Sequence, residues 1–183
     1  DFKNKILGRY LLVIPTGGGK TYTAVKAVCS LFQAGILNPD TDKVLWVAHR
    51  NELLVQAQDT FIDYIEKNPD TPLKIEKNIQ PMMANANEVS NALRSEETKL
   101  VVIDEAHHSA AYSYQTIFEC PTIGVLGLTA TPSRHDGAAL DFEFESFSVG
   151  FPDLVKKGLI LRPTVHKIAG GEYNIATLSG AEG

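Results

Sequence analysis

The chain has 183 residues, 44% of them hydrophobic and 21% charged, a balance that excludes a disordered or fibrous polypeptide and suits one globular domain with a full core. Its net charge of −5 excludes a uniformly basic nucleic-acid coat, leaving a local basic track or backbone-amide contacts as the routes to phosphate. Cys29 and Cys120 are isolated from each other and from any histidine at metal-ligand spacing, so neither a disulfide framework nor a zinc site is indicated and both read as small core residues.

No apolar run reaches the roughly 18 residues of a membrane span, and the start, DFKNKILGRYLL, lacks the basic head and long apolar stretch of a signal peptide. A cytoplasmic location, or a nuclear one in a eukaryote, is therefore expected, with no membrane partner. Tyr10 to Pro15 is a short apolar run of strand character; a Gly-rich turn then leads into Lys20 to Ala34, whose apolar spacing is helical and which stops at Gly35. Lys43 to Ala48 reads as a buried strand and Arg50 to Lys67 as a helix with Leu53, Leu54, Ala57, Phe61 and Ile65 on one face.

Leu100 to Asp104 and Ile123 to Thr129 are near-continuous apolar runs of strand length, the pattern of strands covered on both faces. Strands alternating with helices imply an α/β fold with a mainly parallel central sheet and helices on both sides. Beyond Thr131 the pattern weakens, with a short helix expected over Phe151 to Lys157 and a late strand over Thr164 to Ile168. The stretch from Gly170 to Gly183 is rich in Gly, Ala, Ser and Thr and reads as an exit linker or frayed end after a domain spanning residues 1–169.

Three segments carry chemistry. The first is Pro15-Thr16-Gly17-Gly18-Gly19-Lys20-Thr21, set where a strand turns into a helix. Glycines let backbone N–H groups curl around a polyphosphate, the helix N-terminus adds its positive end, Lys20 reaches the β and γ phosphates, and the Thr21 hydroxyl can ligate Mg²⁺. The general form of this loop puts a glycine where Ile14 stands. The second segment is Asp104-Glu105-Ala106-His107-His108, at the C-terminal end of a strand, where parallel sheets bind ligands. Helix capping would also place acidic residues there. With a phosphate loop upstream, the preferred assignment is Asp104 to Mg²⁺ and Glu105 to orienting or deprotonating the attacking water. Adjacent histidines rarely converge on one ion, so zinc is not expected at His107 and His108. The third segment, Leu128-Thr129-Ala130-Thr131-Pro132, is ordinary turn chemistry in isolation and gains weight from its order after the other two.

In that order and on those strands, PTGGGKT, DEAHH and TATP resemble the first RecA-like domain of superfamily 2 helicases and translocases, over nearly the whole chain. The resemblance implies ATP and Mg²⁺ as cofactors, and the superfamily tolerates a residue other than glycine at the position of Ile14. It implies that Arg50, in AHRNEL, touches nucleic-acid phosphate, that His107 couples hydrolysis to movement, and that Thr129 and Thr131 connect the nucleotide site to the nucleic-acid track. HRNELLVQAQ, DEAHHSAAYSY and LTATPSRHDG, with the later FPDLVKKGLILRP, are closer to restriction-enzyme motor subunits and excision-repair helicases than to DEAD-box RNA helicases, which favours DNA over RNA.

The family arrangement also implies a second RecA-like domain supplying an arginine finger, weak turnover by these residues alone, and nuclease, methyltransferase or repair partners elsewhere. Two departures stand out. Little room precedes the phosphate loop for the glutamine-bearing adenine-recognition element, which suggests an abbreviated N-terminal part. The interval from Leu53 to Asp104 is short for the superfamily, with Lys74 to Ala86 fitting none of its motifs and pointing to absent loop residues. Phe144, Phe147 and Phe151 could form a base-stacking platform, though packing is the commoner use of aromatics at this density. The competing functional readings are a phosphate-loop switch acting on a protein partner and a degenerate module that binds without turnover.

Overall fold

The computed structural model describes residues 7–108, 112–131, 142 and 144–158. Six strands, β1 (Arg9–Val13), β2 (Lys43–Ala48), β3 (Ile79–Met83), β4 (Thr98–Ile103), β5 (Gly124–Thr129) and β6 (Phe144–Ser148), form one sheet in the order β3-β2-β4-β5-β1-β6. Every neighbouring pair is parallel, so each return path crosses a face of the sheet. The crossings are made by α1 (Lys20–Gln33), α2 (Asn51–Lys67), the single turn α3 (Ile75–Asn78), α4 (Ala86–Leu93) and α5 (Tyr112–Phe118), while α6 (Phe151–Lys156) follows β6.

Alternation along the strands divides the core in two. Leu12, Val44, Trp46, Leu100, Val102 and Leu128 point to the face covered by α1 and α2, where Val25, Val28, Phe32 and Phe61 meet them. Leu11, Val13, Leu45, Val47, Val101, Ile103 and Val125 point the other way, against Val89 of α4 and Tyr114 and Ile117 of α5. Both sides of each central strand are thus buried, which is why these strands read as unbroken apolar runs; each fully buried side chain contributes roughly 1.5–3 kcal/mol of transfer free energy. Among the described residues no helix is long and apolar enough to cross a membrane.

The strand and helix expectations through β5 hold to within about two residues, and α6 matches to one. The helix expected from Arg50 begins at Asn51, with Arg50 extended at its N-cap (φ −135, ψ 140). Cys29 is buried as expected, whereas Cys120 is half-buried; both are free thiols. The short interval after α2 is filled by α3, β3 and α4. Asn78 anchors it: fully buried, its Nδ2 donates to the carbonyls of Pro39 and Asp42, each at 2.9 Å, and its Oδ1 accepts from Lys74 N at 2.9 Å. Pro81 sits in the middle of β3, an edge strand, where a missing N–H need cost no ladder bond. Phe144 and Phe147 fall on β6 and Phe151 opens α6. Pro132, the strand expected over 164–168 and the stretch 170–183 lie outside the described residues.

Candidate nucleotide site

Because the sheet is wholly parallel, the C-terminal ends of β1, β4 and β5 open on one rim, and the three motifs converge there. The phosphate loop leaves β1 through Ile14, which is buried at 3% exposure and donates its N–H to Thr129 O at 3.0 Å. Ile14 is therefore a core residue that extends the β1–β5 pairing, and its backbone makes no demand for glycine. The demand falls at Gly18. A Cβ there would come within 2.5 Å of Ile14 Cγ2, 2.8 Å of Leu154 Cδ1 and 2.9 Å of Pro15 O, and Gly18 N–H closes the turn onto Pro15 O at 2.9 Å.

Gly19 caps α1 in the left-handed region (φ 84), which costs glycine nothing. No side chain caps this helix and no acidic residue lies in its first turn, so its N-terminal N–H groups face the cleft as an anion cradle. Thr16, Gly17, Gly19, Lys20 and Thr21 line a cleft of about 400 Å³, together with Asp104 and Glu105. Pro15 and Gly18 of the predicted loop do not line it; they form the turn behind.

Asp104 and Glu105 leave β4 in different states. Asp104 continues the ladder through N–H to Val47 O at 2.9 Å and is 2% exposed, its Oδ1 accepting from Glu105 N at 3.0 Å while Oδ2 is buried without a hydrogen-bond partner. Burial first, and the negative Glu105 second, push the Asp104 carboxyl up to about 6, against the opposing pull of the Glu105 N–H, Lys20 and the Trp46 indole. Glu105 has φ 53, the only non-glycine residue in the left-handed region among those described. That turn swings its carboxylate across the cleft, placing Oε1 3.2 Å from Lys20 Nζ.

The other oxygen reaches the third motif. His107 Nδ1 stands 3.3 Å from Glu105 Oε2 and 3.3 Å from Thr129 Oγ1. Thr129 spends its one hydroxyl proton on Thr131 O at 2.7 Å and accepts from Thr131 N at 3.1 Å. The shared proton between His107 and Thr129 must then sit on Nδ1, which donates to both Glu105 and Thr129. Lys20, Glu105, His107, Thr129 and Thr131 are thus one connected chain. Arg50, exposed at the N-cap of α2, lies apart from it at the end of β2.

The oxygens of Thr21 and Asp104 are the hard donors that suit Mg²⁺, and a buried carboxylate with one oxygen unpartnered, on a residue lining the cleft, fits that ion. Sequence reasoning missed the opposite wall: Leu53, Gln56 and Thr60 of α2, with Tyr22 of α1, complete the lining. Leu53, Gln56 and Thr60 share a helix face, yet only the packing of α2 beside α1 turns that face toward the cleft.

Residues 2–134 match the family model described as Type III restriction enzyme, res subunit. The DNA 3'-5' translocase XPB2 of Sulfurisphaera tokodaii is 31% identical over 136 residues, covering 70% of this chain and 28% of that protein. Among solved structures, the Type ISP restriction-modification enzyme LlaGI, in complex with a DNA substrate mimic, superposes with a TM-score of 0.62 at 15% identity, covering 87% of this chain and 20% of its own. The Hef helicase domain of Pyrococcus furiosus gives 0.55 at 23% identity, covering 85% and 38%. At those identities the two structures show a shared fold. The chain spans between 21% and 30% of the length of the curated relatives it matches.

Proposed function

Because the chain belongs to the family of the Type III restriction enzyme res subunit, we propose that it is the first of two RecA-like motor domains in a DNA-dependent ATPase, with ATP bound at the rim cleft. The observation that carries this reading is the convergence of Lys20, Thr21, Asp104 and Glu105 on one cleft beside an uncapped helix N-terminus. DNA is favoured over RNA because a relative is named as a DNA translocase and a structure of the same fold holds a DNA mimic.

In this reading the loop N–H groups and the α1 N-terminus hold the phosphates, and Lys20 exchanges Glu105 for the β and γ oxygens. Thr21 and Asp104 would hold Mg²⁺, which would supply neutralisation of phosphate charge. Glu105, released from Lys20, orients and deprotonates the attacking water; as that carboxylate gains a proton or shifts, His107 feels the change through Nδ1 and passes it to Thr129 and Thr131. That connected chain gives the coupling role a physical route, and exposed Arg50 takes a DNA phosphate at the end of β2. An arginine finger comes from the second domain, as in related phosphate-loop enzymes where such a residue is worth about 10³ to 10⁵ in rate. The domain over residues 1–169 hands over to that second domain through 170–183, and nuclease, methyltransferase or repair functions belong to further parts of the assembly.

The test is ATP turnover by a polypeptide that includes the second domain, with and without duplex DNA. DNA should stimulate turnover and Lys20→Ala should abolish both nucleotide binding and hydrolysis. Turnover indifferent to DNA but raised by a protein partner would replace the motor with a switch.

A further inference from the structure

Trp46 and Asp104 each bury a polar atom that makes no hydrogen bond of ordinary geometry, the indole Nε1 and the carboxylate Oδ2. The two are complementary, one a pure donor and the other a pure acceptor when ionised. They also share a face. In the parallel register Trp46 lies opposite Val102, and Asp104 stands two residues beyond Val102, so both side chains project to the α1 and α2 side of adjacent strands.

Trp46 has little freedom to turn elsewhere. It is 1% exposed, and the Phe61 ring of α2 packs against it edge to face, with centroids 5.6 Å apart at 82°. The residue also borders a pocket of about 200 Å³ lined mainly by apolar side chains, Leu54, Ala57 and Ile79 among them; Gln58 and Glu76 line it too, and Nε1 bonds to neither. Asp104 is similarly confined, with Oδ1 taken by the Glu105 N–H.

We propose that Trp46 is a positioning residue for the cation site, its indole N–H fixing the Asp104 carboxylate so that a lone pair faces the cleft beside Thr21. This rests on the reading of Asp104 as a Mg²⁺ ligand. The role is of the kind outer-shell donors play for ligating carboxylates, and loss of such a donor commonly weakens metal binding about tenfold or more. Phenylalanine keeps an aromatic ring against Phe61 while removing the N–H edge and part of the indole's volume.

Trp46 is the only tryptophan of the chain, so its emission reports on this one place. With the full chain and saturating ADP, adding Mg²⁺ should shift that emission. Binding of a fluorescent ATP analogue, titrated with Mg²⁺, should show a midpoint about tenfold higher in Trp46→Phe, with unchanged affinity in EDTA. Asp104→Asn separates the two ideas. If it leaves the Mg²⁺ midpoint where it was, the nucleotide-site reading itself fails; if it raises the midpoint and Trp46→Phe does not, only the Trp46 role is overturned. Should Trp46→Phe fail to fold, the unmodified chain decides: emission that follows Mg²⁺ supports the contact, and emission indifferent to Mg²⁺ overturns it.

Discussion

Two turns leave the same rim of the sheet, and they solve opposite problems. In the proposed nucleotide site the turn after β1 presents backbone N–H groups to a polyanion, with side chains removed: Gly18 has no room for a Cβ, and Gly17 and Gly19 take φ 79 and 84. The turn after β4 must present carboxylates, so side chains stay and the backbone bears the cost, with Glu105 at φ 53 and Asp104 buried with an unpartnered oxygen. Strain and buried charge gather where the chemistry needs a side chain, and are absent where it needs only main chain.

The largest effect should come from the side chain whose presence the second turn protects. Glu105→Gln should lower single-turnover hydrolysis by about 10²- to 10⁴-fold while nucleotide binding survives, measured in the two-domain polypeptide. Unchanged hydrolysis would leave the strained turn without a catalytic purpose.

Asp104 comes next. Its carboxyl is raised to about 6 in the folded chain, so the native state holds its proton more tightly than the unfolded state, and stability falls as pH rises from about 4 through 6. Above that window the ionised group costs up to about 3 kcal/mol without Mg²⁺. Asp104→Asn should therefore be more stable than the unmodified chain at pH 7.5 and indistinguishable at pH 4, read by denaturant unfolding in EDTA. A stability difference independent of pH would contradict the buried-charge account.

Gly18→Ala tests the first turn. The new methyl meets Ile14, Leu154 and the Pro15 carbonyl, so a loss of about 1–3 kcal/mol is expected, with weakened nucleotide binding from the displaced loop. The smallest effect isolates backbone strain alone. Glu105→Ala and Glu105→Gly both lose the carboxylate and its link to Lys20, yet glycine accepts the left-handed backbone, so Glu105→Gly should be the more stable by roughly 1 kcal/mol. If alanine is equal or better, the second turn is not strained and the contrast between the turns disappears.

Much of this architecture was legible because strands buried on both faces write themselves as apolar runs, and because a glycine turn ending in Lys20-Thr21 has few other uses. The edge elements were not. β3 carries Pro81, β6 reads FESFS without polar and apolar alternation, and α3 is a single turn tied down by Asn78 from 36 and 39 residues away, so nothing local announces them. The same limit hid the cleft wall formed by Leu53, Gln56 and Thr60.

By itself the sequence determined the α/β class, the order of the central elements and the candidate groups for phosphate and metal, since periodicity and residue chemistry are local properties. Tertiary structure decided who meets whom: that Ile14 is a core residue, that Lys20 rests on Glu105, that His107 joins Glu105 to Thr129, and that Trp46 and Asp104 share a face on adjacent strands. Those contacts depend on strand register and on a non-consecutive strand order, which bring together residues far apart in the chain, such as Ile14 and Thr129. No pattern read along the chain contains them, because they exist only once the sheet has been assembled.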